Sequence, residues 1–174
     1  AYAKNNNFYY IPGTDFKVPQ WENGYVPLGE KSASADAQFT ESPAKWTGNG
    51  ARDAQPAQND WYETVKINYG VSPEGHKDFN SLPEDAGHWD HQKHFEFWKN
   101  KDIPASWKQF KEIALFWLGK GVDGFRYDMA EMVPVEFWSY MNAAIKMERP
   151  DAFLMAEVYN PKLYREYIKK KKMD

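Results

Sequence analysis

The ten residues GVDGFRYDMA, at positions 121–130, place an arginine and an aspartate two positions apart inside what otherwise reads as a buried strand. Charged side chains are rarely buried in proteins unless they are paired or used in binding or catalysis. Because side chains alternate across a strand, Arg126 and Asp128 share one face, whereas Phe125 and Tyr127 belong to the opposite face. The stretch therefore predicts a strand whose apolar side packs on helices and whose charged side carries a functional site.

The residues on either side of this stretch alternate between helical and strand patterns. Apolar residues recur at helical spacing over 104–120 and 134–147, and strands are expected at 122–127 and 152–156. An Asn-Pro pair at 160–161 is typical of a helix start, which predicts a third helix. The order helix, strand, helix, strand, helix is typical of parallel strands joined by crossover helices. We therefore predict an α/β fold.

The first part of the chain has a different character. Residues 1–103 are rich in Asn, Gly, Pro, Ser and Asp, with scattered aromatic residues and no sustained helical period. The best strand candidate there is WYETVKINY, at 61–69. Irregular regions of this length are usually functional or disordered, and the aromatic content argues against disorder. We predict an irregular, loop-rich part over 1–103 and a regular α/β part over 104–174.

Composition narrows the classes of partner. The chain of 174 residues has 42% apolar residues, 27% charged residues and a formal net charge of −3, so nothing indicates nucleic acid or an anionic membrane as a partner. It contains no cysteine, which excludes disulfides and thiol catalysis and leaves the cellular compartment open. Aromatic residues reach 17%, and such rings either fill a core or form platforms for sugar rings.

Two carboxylates end the two predicted strands. Asp128 and Glu157 are 29 residues apart (157 − 128), about one strand–helix–strand unit. Neighbouring strands lie about 4.7–4.9 Å apart, close to the separation of about 5–5.5 Å between the two carboxyl groups of retaining glycosidases. On this hypothesis Arg126 keeps Asp128 ionised, and the apolar strand before Glu157 raises the pKa of Glu157, which suits a general acid. The alternative is that both carboxylates are structural, for instance as helix caps.

The motifs around both carboxylates resemble a known family. GVDGFRYDMA is similar to the region around the nucleophile of the α-amylase family, glycoside hydrolase family 13, and FLMAEVY at 153–159 resembles the region with its acid/base. The resemblance implies that Asp128 is the nucleophile, Glu157 the acid/base and Arg126 the partner of the nucleophile. It also implies a partial (β/α)8 TIM barrel in which residues 1–103 are the irregular insertion called domain B. Calcium is a family-level expectation with no ligands assigned, and no organic cofactor is expected.

The activity implied by the resemblance is hydrolysis of α-glucans, such as starch and maltooligosaccharides, by a double-displacement mechanism. The alternatives are a transglycosylase acting on α-glucans, a non-catalytic carbohydrate-binding member of the same fold, and an unrelated α/β domain. The sequence departs from the family at Glu131 and Met132, where many amylases have a Lys-His pair. The family's motif before the insertion and its later His-Asp pair are not found. We therefore expect the chain to be part of a larger enzyme and to be incomplete as a catalyst by itself.

Three histidines recur at three-residue spacing in HWDHQKH, namely His88, His91 and His94. A zinc site would require a tighter motif such as H-E-x-x-H together with a further ligand. We therefore expect these histidines to be solvated or packed against aromatic rings.

Overall fold

The computed structural model describes residues 2–25, 41–170 and 173–174, and the chain divides into two compact units. The first unit is Ala1–Asn68 and the second is Tyr69–Asp174. This division falls earlier than the predicted boundary at 103/104. The reason is that residues 69–103 contribute a helix and buried side chains, including Phe79 and Trp98, to the core of the second unit. The assignment of the irregular part as domain B stays a prediction.

Short strands and turns make up the described part of the first unit. Strands β1 (Tyr10–Ile11) and β2 (Ala44–Lys45) pair antiparallel. The ring of Tyr9, which is buried, stacks on the ring of Trp46 with 4.6 Å between the centroids. This unit therefore has the irregular character that the sequence predicted.

The predicted strand over 61–69 was wrong. The segment forms turns, and its one backbone bridge joins Ile67 to Phe8. The hydroxyl and the backbone N–H of Thr64 both donate to the carbonyl of Trp61, at 2.7 and 3.0 Å. This local turn competes with strand pairing, as is common for threonine side chains, and it outweighs the β-type composition of the segment.

Regular elements dominate the second unit, in an order that confirms the prediction from residue 104 onward. They are α1 (His91–Trp98), α2 (Ala105–Gly119), β3 (Gly124–Tyr127), α3 (Val135–Glu148), β4 (Phe153–Ala156) and α4 (Tyr164–Lys170), with 3-10 turns at Glu84–His88, Ala130–Met132 and Pro161–Leu163. Gly121 follows the end of α2 with a φ of 95°, a left-handed conformation that glycine adopts without steric cost. The run of four lysines at 169–172 lies partly outside the described residues.

Helix α1 was missed by the sequence analysis. Its buried side chains are His94 and Trp98, so it carries no aliphatic stripe that periodicity could reveal. The sequence feature that could have predicted α1 is its N-cap, Asp90, whose carboxylate accepts the backbone N–H of Lys93 at 2.8 Å.

Strands β3 and β4 form a parallel pair, as predicted. Gly124 lies opposite Phe153, and Tyr127 lies opposite Ala156. A Cβ atom on Gly124 would overlap the backbone of Phe153, so this close approach requires glycine. The pairing fixes the register of the residues that follow both strands.

After α4 the chain returns to the edge of β4 that β3 does not occupy. The backbone N–H of Asp174 donates to the carbonyl of Leu154 at 2.9 Å, and the Asp174 carboxylate accepts the N–H of Leu154 at 3.0 Å. The same carboxylate accepts hydrogen bonds from the ammonium group of Lys146, at 2.7 and 2.9 Å. These contacts attach Asp174 to the free edge of β4, and the second unit has an α/β fold. The (β/α)8 barrel stays a prediction.

The core of the second unit lies on one face of this parallel pair. Phe125 and Tyr127 pack against it, as side-chain alternation predicted, and Leu154 is fully buried there. On the opposite face, Phe153 and Met155 are 56% and 46% exposed. No helix in the ranges described is long and apolar enough to cross a membrane.

Candidate active site

The parallel register brings the two predicted catalytic carboxylates together. Asp128 follows β3 and Glu157 follows β4, where the backbone N–H of Glu157 donates to the carbonyl of Tyr127 at 2.9 Å. The guanidinium of Arg126 contacts both carboxylates: Nη1 donates to Asp128, and Nη2 lies 2.9 Å from Oε1 of Glu157. All three side chains that the sequence singled out therefore form one cluster at the C-terminal edge of the strands.

Arg126 has two partners rather than the one predicted. Its hydrogen bond to Asp128 and the negative charge of Glu157 raise the pKa of the guanidinium, the first being the larger cause. An arginine is always charged at neutral pH, so Arg126 presents a permanent positive charge to both carboxylates. It fixes two carboxyl groups that would otherwise repel each other.

The environment of Glu157 differs from the one expected. The backbone N–H of Met129 donates to Oε2 of Glu157 at 3.1 Å, and the hydroxyl of Tyr159 donates to the same atom at 3.0 Å. These bonds hold the pKa of Glu157 below its ordinary value, and the backbone bond is the largest cause. The predicted rise in pKa was wrong, because Phe153 and Met155 are exposed on this face and do not enclose the carboxyl group.

Met129 reaches Glu157 because of its backbone conformation. It has a φ of 50°, in the left-handed region that residues other than glycine rarely adopt. The next residue, Ala130, donates its backbone N–H to the carbonyl of Glu157 at 3.1 Å. The loop after β3 is therefore held against the residue that follows β4, and a residue pattern could not have revealed this contact.

Two further side chains at the site were missed by the sequence analysis. Tyr159 lies two residues after Glu157, so strand alternation could have placed its hydroxyl on the same side. Glu131 accepts the backbone N–H groups of Tyr159 and Asn160 on one oxygen, Oε2, at 2.9 and 3.1 Å. The sequence analysis noted Glu131 only as a departure from the family's usual pair.

A cavity of about 280 Å³ borders the cluster. Arg126 and Asp128 contribute to its wall, which is otherwise mainly apolar and aromatic, with Phe125, Tyr127 and Trp138 among the lining residues. Tyr159, beside Glu157, leaves 57% of its surface exposed. Arg126 and Asp128 thus lie beside aromatic side chains of the core, and Glu157 lies beside Tyr159.

The histidines do not form a metal site in the part of the chain that the structure describes, where no group of three or more potential ligands was found. His94 is fully buried, with Nδ1 2.6 Å from the hydroxyl of Ser139 and Nε2 3.0 Å from the carbonyl of Ala86. Its ring also makes an edge contact with Trp89, at 5.3 Å between centroids. For His94 the aromatic-packed interpretation is therefore confirmed.

Comparison with known proteins matches a part of the chain. An alpha-1,4-glucan:maltose-1-phosphate maltosyltransferase of Burkholderia pseudomallei is 31% identical over 64 residues, which cover 37% of this chain and 6% of that protein. The protein of the same name from Methylacidiphilum infernorum is 36% identical over 70 residues, which cover 40% of this chain and 10% of that protein. Alpha-amylase 3 of Dictyoglomus thermophilum is 36% identical over 77 residues, which cover 40% of this chain and 15% of that protein. The chain contains a partial region of the α-amylase family.

The α-amylase family region agrees with the α/β fold and with the motifs around Asp128 and Glu157. The aligned segments span only 6% to 15% of these three relatives. No family model matches the chain. The similarity to the α-amylase family therefore rests on these partial alignments.

Proposed function

We propose that the protein carrying this chain is an α-glucan-active enzyme of the retaining type, with Asp128 as nucleophile and Glu157 as acid/base. One observation carries the proposal: the parallel register sets both carboxyl groups at one strand edge, where Arg126 contacts each of them. The substrate class comes from the relatives, whose names include α-1,4-glucan maltosyltransferase and α-amylase. Retaining enzymes use two neighbouring carboxyl groups in this way.

In the first step a carboxylate oxygen of Asp128 attacks the anomeric carbon of the glucan. The glycosidic C–O bond breaks, and the proton of the Glu157 carboxyl group passes to the leaving oxygen. The product is a glycosyl ester of Asp128 with inverted configuration, together with the Glu157 carboxylate. Arg126 keeps the two groups in place during this exchange of charge.

In the second step the Glu157 carboxylate takes a proton from an acceptor hydroxyl. The acceptor oxygen attacks the anomeric carbon, the ester bond breaks, and Asp128 is released as a carboxylate. The hydrogen bonds from Met129 and Tyr159 stabilise the anionic form of Glu157 that this step requires. Two inversions give net retention of configuration.

The direct test is covalent trapping. A fluorinated glycosyl fluoride that slows the second step should label the protein at one residue, and mass spectrometry of the peptides should locate the label on Asp128. We expect Asp128→Asn to abolish labelling, and Asp128→Asn and Glu157→Gln each to lower turnover by several orders of magnitude. Asp151→Asn, a change at an aspartate whose side chain is 87% exposed, is the matched control and should retain activity. Near-normal turnover in either site variant would refute the assignment.

A glucan-transferring enzyme is the second candidate, because relatives named maltosyltransferases are among the matches. The two activities differ only in the acceptor, which is water for a hydrolase and a sugar hydroxyl for a transferase. Incubation with a maltooligosaccharide of one length separates them, because transfer also yields longer products. Sugar binding that persists without turnover, and that neither carboxylate variant changes, would instead indicate a non-catalytic binding protein.

A further inference from the structure

Glu131 joins the two loops that carry the carboxylates. It lies in the 3-10 turn Ala130–Met132 after β3, whereas its partners, the N–H groups of Tyr159 and Asn160, follow β4. The side chain of Asn160 accepts the N–H of Lys162 at 3.1 Å and so caps the next turn. One carboxylate oxygen of Glu131 therefore fixes the point at which the chain leaves β4 and begins a helical turn.

The anchored backbone determines where the hydroxyl of Tyr159 lies. That hydroxyl donates to Oε2 of Glu157 at 3.0 Å and lies 2.9 Å from the sulfur of Met129. More than half of the Tyr159 surface is exposed, so packing gives its ring limited support. For an exposed ring, the position of the backbone governs whether the hydroxyl can reach its acceptor.

We propose that Glu131 is a positioning residue that keeps the Tyr159 hydroxyl on the carboxyl group of Glu157. The proposal deepens the proposed function, because the importance of this contact for turnover rests on Glu157 being the acid/base. Glu131 acts through the backbone, because its carboxylate accepts the N–H groups of Tyr159 and Asn160.

The expected consequence concerns the protonation of Glu157. The groups that face its carboxyl are Arg126 and Asp128 from β3 and its end, the N–H of Met129, and the hydroxyl of Tyr159. The N–H of Met129, the hydroxyl of Tyr159 and the charge of Arg126 each lower the pKa of Glu157, and the hydrogen bond to Glu157 raises the pKa of Tyr159. Losing the Tyr159 contact should therefore raise the pKa of Glu157 while the contributions of Met129 and Arg126 remain.

The first test follows the titration of the Glu157 carboxyl carbon by NMR in the full chain. Tyr159→Phe removes the hydroxyl and should move the pKa of Glu157 upward. Glu131→Leu removes the anchor and should move it in the same direction, with little further change when both substitutions are combined. Glu131→Gln keeps an oxygen acceptor at the same distance along the side chain and should restore most of the original value. Glu148→Leu, which removes an exposed carboxylate at the end of α3, is the control.

An unchanged titration of Glu157 in Glu131→Leu, alongside a shift in Tyr159→Phe, would overturn the proposal. If Glu131→Leu does not fold, Glu131→Asp serves the same purpose, because it withdraws the oxygen by one methylene group and keeps the charge. A Glu131→Asp chain that titrates like the original would overturn the proposal equally.

The second test uses the pH dependence of kcat/KM. A general acid with a raised pKa stays protonated to higher pH, so the alkaline limb of the profile should move upward in Tyr159→Phe and Glu131→Leu and return in Glu131→Gln. A shift in the NMR titration, together with no glucan turnover by the protein that carries this chain, would reject the proposed function and leave the positioning role intact. Turnover with an unmoved alkaline limb in both variants would reject the positioning role.

Discussion

Different interactions stabilise the interior of each of the two units. The second unit buries large side chains that recur at helical or strand spacing, including Trp107, Phe137 and Leu154, none of which is more than 1% exposed. In the first unit a fully buried polar residue, Asn68, donates to the carbonyls of Ala3 and Asn6 at 2.9 and 2.8 Å. A periodic apolar pattern can be read from the sequence, whereas such polar bonds between distant residues cannot.

Two exposed glutamine side chains also bond to distant backbone carbonyls within the first unit. Gln55 donates to the carbonyl of Val18 at 2.9 Å, and Gln58 donates to the carbonyl of Gln20 at 2.6 Å. Each bond joins segments that are almost forty residues apart in sequence. Bonds from polar side chains thus join distant segments of the first unit. The substitutions below compare them with the hydrophobic core of the second unit.

The largest effect is expected from Trp107→Ala in the second unit. Trp107 is fully buried against Phe79 and Phe137, with ring centroids 4.8 and 5.7 Å away, and its N–H donates to the carbonyl of Tyr69. The change should lower the free energy of unfolding by about 3–5 kcal/mol, measured by denaturant titration with circular dichroism. Trp61→Ala, at a 48% exposed tryptophan of the first unit, should cost far less. Equal costs would contradict the contrast between the two units.

An intermediate effect is expected from Asn68→Ala in the first unit. The substitution removes the buried amide group that donates to the carbonyls of Ala3 and Asn6, at a cost of about 1–3 kcal/mol. Hydrogen exchange should reveal it as lost protection of backbone amides in residues 2–9. Asn5→Ala, at an exposed asparagine of the same segment, is the control and should leave that protection unchanged. Unaltered protection in Asn68→Ala would show that these polar bonds are not what orders the segment.

The smallest effect concerns the glycines at the end of α2. Gly121→Ala places a side chain at a φ of 95° and should destabilise the chain by about 1–2 kcal/mol. Gly119→Ala, at the last helical residue, should be neutral or stabilising by up to about 1 kcal/mol, since no atom lies within 4 Å of the added Cβ at either glycine. Thermal unfolding of the two variants separates backbone strain from packing, and a reversed order would show that the φ of Gly121 is not the constraint.

Much of the second unit could be predicted because local pattern and tertiary packing agree there. Alternation in GFRY placed Phe125 and Tyr127 on the core and Arg126 on the open face, and helical spacing gave α2 and α3 to within two residues at each end. The alternation of elements also predicted the parallel pairing that sets Asp128 beside Glu157. The catalytic roles of these residues stay predictions, because proximity by itself does not show reaction.

The parts that were missed depend on contacts between loops. The pKa of Glu157 was expected to rise because its strand is apolar. Instead, hydrogen bonds from the N–H of Met129 and the hydroxyl of Tyr159 lower that pKa. Glu131 acts through backbone groups 28 and 29 residues away. Neither the composition of the sequence nor the spacing of its residues predicts these hydrogen bonds, because they form only when the two loops are folded beside each other.

The measurement that tests the central claim most directly is the stereochemistry of the first product. NMR spectroscopy of the anomeric protons, recorded in the first minutes of reaction with an α-glucan, distinguishes the two anomers before they equilibrate. If Asp128 and Glu157 act as a neighbouring nucleophile and acid/base, the first product has the α configuration. A β product would mean a single displacement and would contradict the assignment of Asp128 as the nucleophile.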